Sequence, residues 1–175
     1  MKYNRFIELQ DDDDFENITE LNFYRKNLTQ LPETVKKCVN LKRLFCASNR
    51  IQSFGNSLMN CVKLETLHCA SNRIQLFCNS LENCVELKSL YCEYNQIESF
   101  GDSLLNCTKL QILSCENNLL ETFEGSFDYC VQLECVYCNN RLVMEKYGIH
   151  DNDSGIEKLQ KIKKYHQQYF TPVLK

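Results

Sequence analysis

The cysteines are the residues of this sequence whose type and spacing could do chemistry. The chain has 175 residues, of which 12 are cysteine. Regularly spaced thiols can bind zinc, form disulfides, act as nucleophiles, or fill a core as small apolar side chains. Most of them lie in two columns with a constant interval: Cys38, Cys61, Cys84, Cys107 and Cys130 in one, and Cys46, Cys69, Cys92, Cys115 and Cys138 in the other.

Both columns belong to a repeat of 23 residues, which occurs in six copies. The second copy contains Leu41, Leu44, Cys46, Asn49 and Ile51, and the repeat reads L-x-x-L-x-C-x-x-N-x-I. The alternation predicts a short strand, with Leu44 and Cys46 on one face. The aligned central positions are Leu21, Leu44, Leu67, Leu90, Leu113 and Val136, and the last position of the motif is Leu28, Ile51, Ile74, Ile97, Leu120 and Val143.

This motif resembles the leucine-rich repeat, over residues 15–150 and with four consecutive well-formed copies. The resemblance implies an α/β fold: a solenoid with a parallel β-sheet on its concave face and short helical or 3₁₀ segments on its convex face. We expect an N-terminal cap at 1–14, the solenoid at 15–150, and a C-terminal capping helix and tail at 151–175.

The strand column of cysteines is predicted to fill the core. Neighbouring strands lie about 4.8 Å apart, whereas a disulfide needs Cβ atoms roughly 3.5–4.5 Å apart and turned toward each other. Zinc sites take cysteine pairs from tight turns. Cys135 and Cys138 form a C-x-x-C, but an offset of three along a strand directs them to opposite faces. We therefore expect no metal and no cofactor.

The asparagine of the motif falls where the chain leaves the strand and turns. Its side chain can satisfy backbone groups there, and a column of such residues can satisfy each neighbouring loop in sequence. The column contains Asn49, Asn72, Asn95 and Asn118, with Arg141 in the sixth copy.

Residues that alternate with the core positions are predicted to point outward along the concave wall. Phe45, His68 and Tyr91 occupy the same place in consecutive repeats, and rows of exposed rings anchor protein partners. A purely structural explanation also exists, because rings on adjacent strands stabilise a sheet. The predicted partner-binding residues are Tyr24, Arg43, Phe45, His68, Tyr91, Glu93, Tyr94, Glu116 and Tyr137, with a charge gradient between the glutamates and Arg43.

The segment after residue 153 predicts a capping helix. Ser154 and Glu157 have the spacing of a capping box. An apolar stripe follows it, formed by Ile156, Leu159, Ile162, Tyr165 or His166, and Tyr169. Lysines are predicted on or near the other face: Lys158, Lys161, Lys163 and Lys164. A solvated basic side is the favoured interpretation, and docking to an acidic partner or nucleic acid is the alternative.

Composition limits the function further. The net charge of −3 is too near neutral to favour nucleic acid or an acidic membrane surface, and no apolar run approaches a membrane span. The N-terminal residues do not resemble a secretory signal, so we expect reduced thiols and a cytoplasmic location. If the source is a virus or parasite, which the Asn-, Lys- and Tyr-rich composition would suit, the location is the host cytosol.

No catalytic arrangement is predicted, because His68 and Cys69 point to opposite faces of one strand. We therefore predict a non-catalytic module that binds a protein or peptide on its concave face, as a monomer or as a subunit of a hetero-complex. The alternatives are a structural subunit of a larger assembly, and a viral or pathogen effector that acts on host machinery.

Overall fold

The computed structural model describes residues 15–123 and 129–169 of the chain. Six parallel strands form one sheet in chain order, and each residue pairs with the one 23 positions later, as Leu44 does with Leu67. The sequence period is therefore the register of the sheet. The strands are β1 (Glu20–Asn22), β2 (Arg43–Phe45), β3 (Thr66–His68), β4 (Ser89–Tyr91), β5 (Ile112–Ser114) and β6 (Cys135–Tyr137).

Short helical segments and turns return the chain between the strands, as the resemblance implied. The 3₁₀ helices are Phe15–Asn17, Glu33–Lys37, Cys78–Leu81 and Gly101–Leu104, and two α-helices follow the sheet, α1 (Arg141–Tyr147) and α2 (Gly155–Tyr169). No helix in the part of the chain that the structure describes is long and apolar enough to cross a membrane. The N-terminal cap predicted at 1–14 and the tail at 170–175 lie outside the described residues.

The leucine and cysteine columns lie in the core, as predicted. Leu44, Cys46 and Cys61 have no exposed surface. No cysteine of the described residues forms a disulfide, and each is buried except Cys78, which is exposed. Burial raises the pKa of the Cys61 and Cys107 thiols to about 12. Thiols in this environment stay protonated at neutral pH and pack as small apolar side chains.

The predicted asparagine ladder is present. The side-chain oxygen of Asn72 accepts a hydrogen bond from the Ile51 amide at 2.9 Å. Its amide nitrogen donates to the carbonyls of Cys69 at 2.9 Å and Cys46 at 3.0 Å. One side chain thus satisfies the backbone of its own repeat and of the preceding one. The equivalent bonds to cysteine carbonyls are made by Asn49, Asn95 and Asn118.

A second asparagine ladder, which was not predicted, runs along the return segments. Asn60 donates to the Lys36 carbonyl at 3.0 Å, Asn83 to that of Met59 at 2.8 Å, and Asn106 to that of Glu82 at 3.0 Å. Each bond links one repeat to the one before it. The Asn-Cys pairs at 60–61, 83–84 and 106–107 are its signal in the sequence.

A stack of aromatic rings fills the convex half of the core. The rings of Phe54 and Phe77 have centroids 6.0 Å apart, those of Phe77 and Phe100 6.0 Å, and those of Phe100 and Phe123 6.5 Å. Tyr147 of α1 continues the stack 6.1 Å from Phe123, and its hydroxyl accepts a hydrogen bond from the Phe123 amide at 3.0 Å. The stack therefore joins the repeats to the C-terminal end.

Helix α1 replaces the second half of the sixth repeat. Val143, at the last position of the motif, is buried as the isoleucines are, but it lies within α1. The sixth copy has Arg141 in place of the ladder asparagine, so nothing repeats the turn there. Asn140 supplies a donor instead and bonds to the Asn118 carbonyl at 3.0 Å.

Helix α2 begins with the predicted capping box. The Glu157 carboxylate accepts a hydrogen bond from the Ser154 amide at 2.8 Å, and the Ser154 hydroxyl accepts one from the Glu157 amide at 3.3 Å. Leu159 and Ile162 are buried, as predicted, whereas Ile156 is 57% exposed and does not belong to the buried stripe. The side chains of His166 and Tyr169 lie outside the described residues.

The prediction that Lys158 lies on a solvated face was wrong. Helix α2 packs against the edge strand β6, and a Cβ atom on Gly155 would come within 3.0 Å of the Cys135 Cβ. This close approach buries Lys158, whose Nζ donates to the Cys138 carbonyl at 2.7 Å. Lys158 thus donates a hydrogen bond to the last cysteine carbonyl of the strand column, whereas Asn72 and its equivalents donate to the others.

Other lysines of α2 also contact the protein. Lys161 pairs with Asp153, and Lys163 lies 3.5 Å from the Leu133 carbonyl. Much of the basic side of α2 therefore closes the end of the solenoid, which favours the capping interpretation over docking to nucleic acid.

Candidate protein-interaction surface

Three rings occupy consecutive strands on the concave face. The centroids of Phe45 and His68 are 6.4 Å apart, and those of His68 and Tyr91 are 5.4 Å apart with the rings stacked. All three side chains are half-buried. The register of β2, β3 and β4 aligns them. We call Phe45, His68 and Tyr91 the aromatic row.

Three further tyrosines from the predicted set flank the aromatic row. Tyr24 is 45% exposed, Tyr94 is 60% exposed and Tyr137 is 43% exposed. Tyr137 lies beside Gly155 at the start of α2. A hydrogen bond to Cys135 raises the pKa of the Tyr137 phenol. Cys135 itself was expected to face outward, but it is buried because α2 lies against it.

The column of residues two positions after the aromatic row is apolar in the second and third repeats and acidic in the fourth and fifth. Ala47 and Ala70, which were expected to be covered by solvent, are buried. The same column carries Glu93 and Glu116 in the next two repeats, and both are half-buried. The Glu116 carboxylate accepts a hydrogen bond from the Ser114 hydroxyl at 2.7 Å.

The predicted charge gradient is weaker than the sequence indicated. Arg43 is neutralised by Glu20, whose carboxylate lies 2.7 Å from its Nε. Glu93 and Glu116 have no lysine or arginine partner among residues 15–123 and 129–169. The surface is therefore acidic at its fourth and fifth strands and close to neutral at its second.

Two polar atoms of this surface are buried without a hydrogen-bond partner, His68 Nδ1 and Glu93 Oε2. Burying a polar atom without a partner destabilises a fold. Both atoms belong to residues of the predicted binding set. Sequence alone could not reveal the missing partners, because the neighbours of each atom depend on the stacked strands.

The thiol next to His68 in the sequence is not activated for covalent chemistry. Burial holds the pKa of the Cys69 thiol well above its usual range, so this neighbour of His68 is not a thiolate nucleophile. Within the described part of the chain, no three His, Cys, Asp or Glu side chains are grouped as metal ligands.

Parallel strands, asparagine ladders and a curved row of repeats define a solenoid protein whose concave sheet is its largest regular surface. A sequence model described as leucine-rich repeats in two copies matches residues 39–83 and 85–127, just over half of the chain. The chain belongs to the leucine-rich repeat family. No curated protein matches it in a sequence comparison.

Solved structures share this fold at low sequence identity. A leucine-rich repeat protein from Leptospira interrogans is 18% identical over 85% of this chain and 36% of its own, with a TM-score of 0.67. Internalin C2 from Listeria monocytogenes is 19% identical over 63% of this chain and 47% of its own, with a TM-score of 0.56. The chain thus spans less than half the length of these two structures.

The leucine-rich repeat ectodomain of a receptor kinase from Arabidopsis thaliana is also similar. It is 21% identical over 70% of this chain and 71% of its own, with a TM-score of 0.58. At such identities the likeness shows the fold alone.

Proposed function

We propose that this protein is a non-catalytic binding module that recognises a protein or peptide through its concave face. The observation that carries the proposal is the aromatic row, which lies on the concave strands and not in the core. Aromatic side chains at such positions supply most of the binding energy of protein interfaces.

The rest of the surface supports this proposal. Solenoids of this kind present extended concave faces to their partners. The scaffold beneath the aromatic row is held by buried leucines, cysteines and ladder asparagines, so little entropy is lost when a partner docks.

The test compares two double variants that remove similar amounts of apolar surface. Phe45→Ala/Tyr91→Ala removes rings from the concave face, and Met59→Ala/Leu76→Ala removes exposed apolar side chains from the return segments. Partners are captured from cytosol with the wild-type protein, identified by mass spectrometry, and titrated against each variant by calorimetry.

We expect the concave variant to bind at least about 30-fold more weakly, since hot-spot rings contribute about 2 kcal/mol or more. The return-segment variant should bind as the wild type does. Unchanged binding by a folded concave variant would contradict the proposal, because the partner would then contact another surface.

We also propose that the protein works in a reducing compartment, such as the cytoplasm. None of its cysteines in the described residues forms a disulfide, and all but Cys78 are buried. Disulfides form and persist in oxidising compartments, whereas this core uses its cysteines as filler.

A further inference from the structure

Glutamates elsewhere along the strands are neutralised by lysines of adjacent repeats. Glu65 lies 3.4 Å from Lys42 and 2.8 Å from Lys88, so charges alternate across three repeats. A second column repeats the pattern with a lysine and a glutamate 2.6 Å apart. Glu93 and Glu116 depart from it, since they are like charges on neighbouring strands and no described lysine or arginine pairs with either.

The register places the two glutamates side by side on neighbouring repeats of the free protein. Tyr91 pairs with Ser114, and the two glutamates each lie two residues further on, one strand spacing of about 4.8 Å apart. The backbone continues the pairing, because the Tyr94 amide donates to the Glu116 carbonyl at 2.9 Å. Like charges directly opposite each other destabilise a sheet.

The surroundings of these carboxylates suit a cation. The half-buried Tyr91 and the exposed Tyr94 come from the same repeat as Glu93, and the faces of tyrosine rings attract cations. Glu93 Oε2 is shielded from solvent and has no donor in the structure. A ligand that supplied positive charge would offset the repulsion, and a rotation of the Glu93 side chain toward it would also give the buried oxygen a donor.

We propose that the concave face binds an extended basic peptide segment, with an arginine guanidinium held between the Glu93 and Glu116 carboxylates. This inference rests on the proposed function and names its partner by charge complementarity. Arginine fits better than lysine because its planar fork can donate to two carboxylates and stack on the Tyr91 ring.

The geometry also fixes a spacing within the peptide. The glutamate pair is two strand spacings across and two residues along the strands from the pair formed by Phe45 and His68, which is about 12 Å. An extended chain covers that distance in about three to four residues. The segment therefore has an apolar or aromatic residue three or four positions from its arginine, and that residue packs on the first two rings of the aromatic row.

The experiment selects binders from a random peptide library with the full chain immobilised. Selected peptides are then titrated against Glu93→Gln/Glu116→Gln, which keeps the side-chain shape and removes the charge. The matched control is Glu82→Gln/Glu134→Gln, at exposed positions that are not in register with each other. The Phe45→Ala/Tyr91→Ala variant is measured in parallel.

We expect selected peptides to contain arginine three or four positions from an apolar residue. They should bind Glu93→Gln/Glu116→Gln at least about 10-fold more weakly and the control unchanged, and the difference should shrink at high salt. Two outcomes would overturn this inference and leave the proposed function standing. In the first, the selected peptides contain no basic residue. In the second, they bind the Gln variant as tightly as the wild type but bind the Ala variant more weakly. Equal binding to the Ala variant, or no selection at all, would overturn both.

A measurement on the free protein adds a check that needs no ligand. Removing one repulsive pair should raise the melting temperature of Glu93→Gln/Glu116→Gln by roughly 1–3 °C at low salt. The Glu82→Gln/Glu134→Gln control, which removes the same charge without separating a like-charge pair, should melt as the wild type does. No rise would show that the carboxylates are already compensated, and the inference would then fail.

Discussion

The two faces of each strand follow different rules. From the second repeat onward, the core position after the aromatic row is cysteine in every copy: Cys46, Cys69, Cys92, Cys115 and Cys138. The concave position one residue earlier changes in each repeat, through Phe45, His68, Tyr91, Ser114 and Tyr137. Each core position packs against the equivalent residue of the preceding and the following repeat, so one side-chain size fits all of them. The concave positions face no such restriction.

This difference separates stability from recognition. Changes to the repeated core should unfold the protein whatever it binds, whereas changes to the concave face should affect binding far more than folding. The following variants test the core side of the comparison.

Phe77→Ala should have the largest effect on stability. Phe77 is fully buried and stacks on Phe54 and Phe100, so its loss opens a cavity in the middle of the aromatic stack. We expect the free energy of unfolding to fall by about 3–5 kcal/mol, measured by urea denaturation. Leu76→Ala, at the exposed neighbouring residue, should change it by less than about 0.5 kcal/mol. Equal losses of unfolding free energy in the two variants would show that the aromatic stack does not stabilise the core.

Asn72→Ala should come next. The variant leaves the buried Ile51 amide without an acceptor and removes donors to two cysteine carbonyls. Those carbonyls keep a second donor from Asn49 and Asn95, so we expect a loss of about 2–4 kcal/mol. Asn79→Ala, at an exposed position, is the matched control. A loss no larger than the control's would mean that water replaces the ladder.

Cys78→Gly should have the smallest effect, with the opposite sign. Cys78 has φ +48°, and the equivalent residues Gly55 and Gly101 have φ +49° and +47°. A side chain in this left-handed region is strained by about 1–2 kcal/mol, and the greater freedom of unfolded glycine offsets part of the gain. We expect the unfolding free energy to rise by about 0.5–1 kcal/mol. Gly101→Ala should lower it by a similar amount, and a fall in Cys78→Gly would contradict this account.

Periodicity alone was sufficient to predict the repeated part of the fold. The positions of Leu44, Cys46 and Asn72 follow from a constant interval and from strand alternation, since each repeat contacts copies of itself. The second asparagine ladder was also visible in the sequence, as Asn-Cys pairs at a constant spacing. The aromatic stack was missed because the column of Phe54, Phe77, Phe100 and Phe123, at the same interval of 23 residues, was not recognised.

The C-terminal end could not be predicted in the same way, because no copy of it occurs elsewhere in the chain. The burial of Lys158 depends on how closely α2 approaches β6, which Gly155 permits. The candidate site could be predicted in part. Its residues were named from alternation, but the neutralisation of Arg43 by Glu20 and the missing partner of Glu93 depend on contacts across strands.

The two ladders and the ring stack connect each coil only to the next, always with the same offset. A unit of 23 residues could therefore be duplicated or deleted between identical junctions without exposing either terminus of the solenoid. Length is thus a freely adjustable property of this architecture, and a lineage could widen or narrow its inner wall by whole coils while leaving the closing helices untouched.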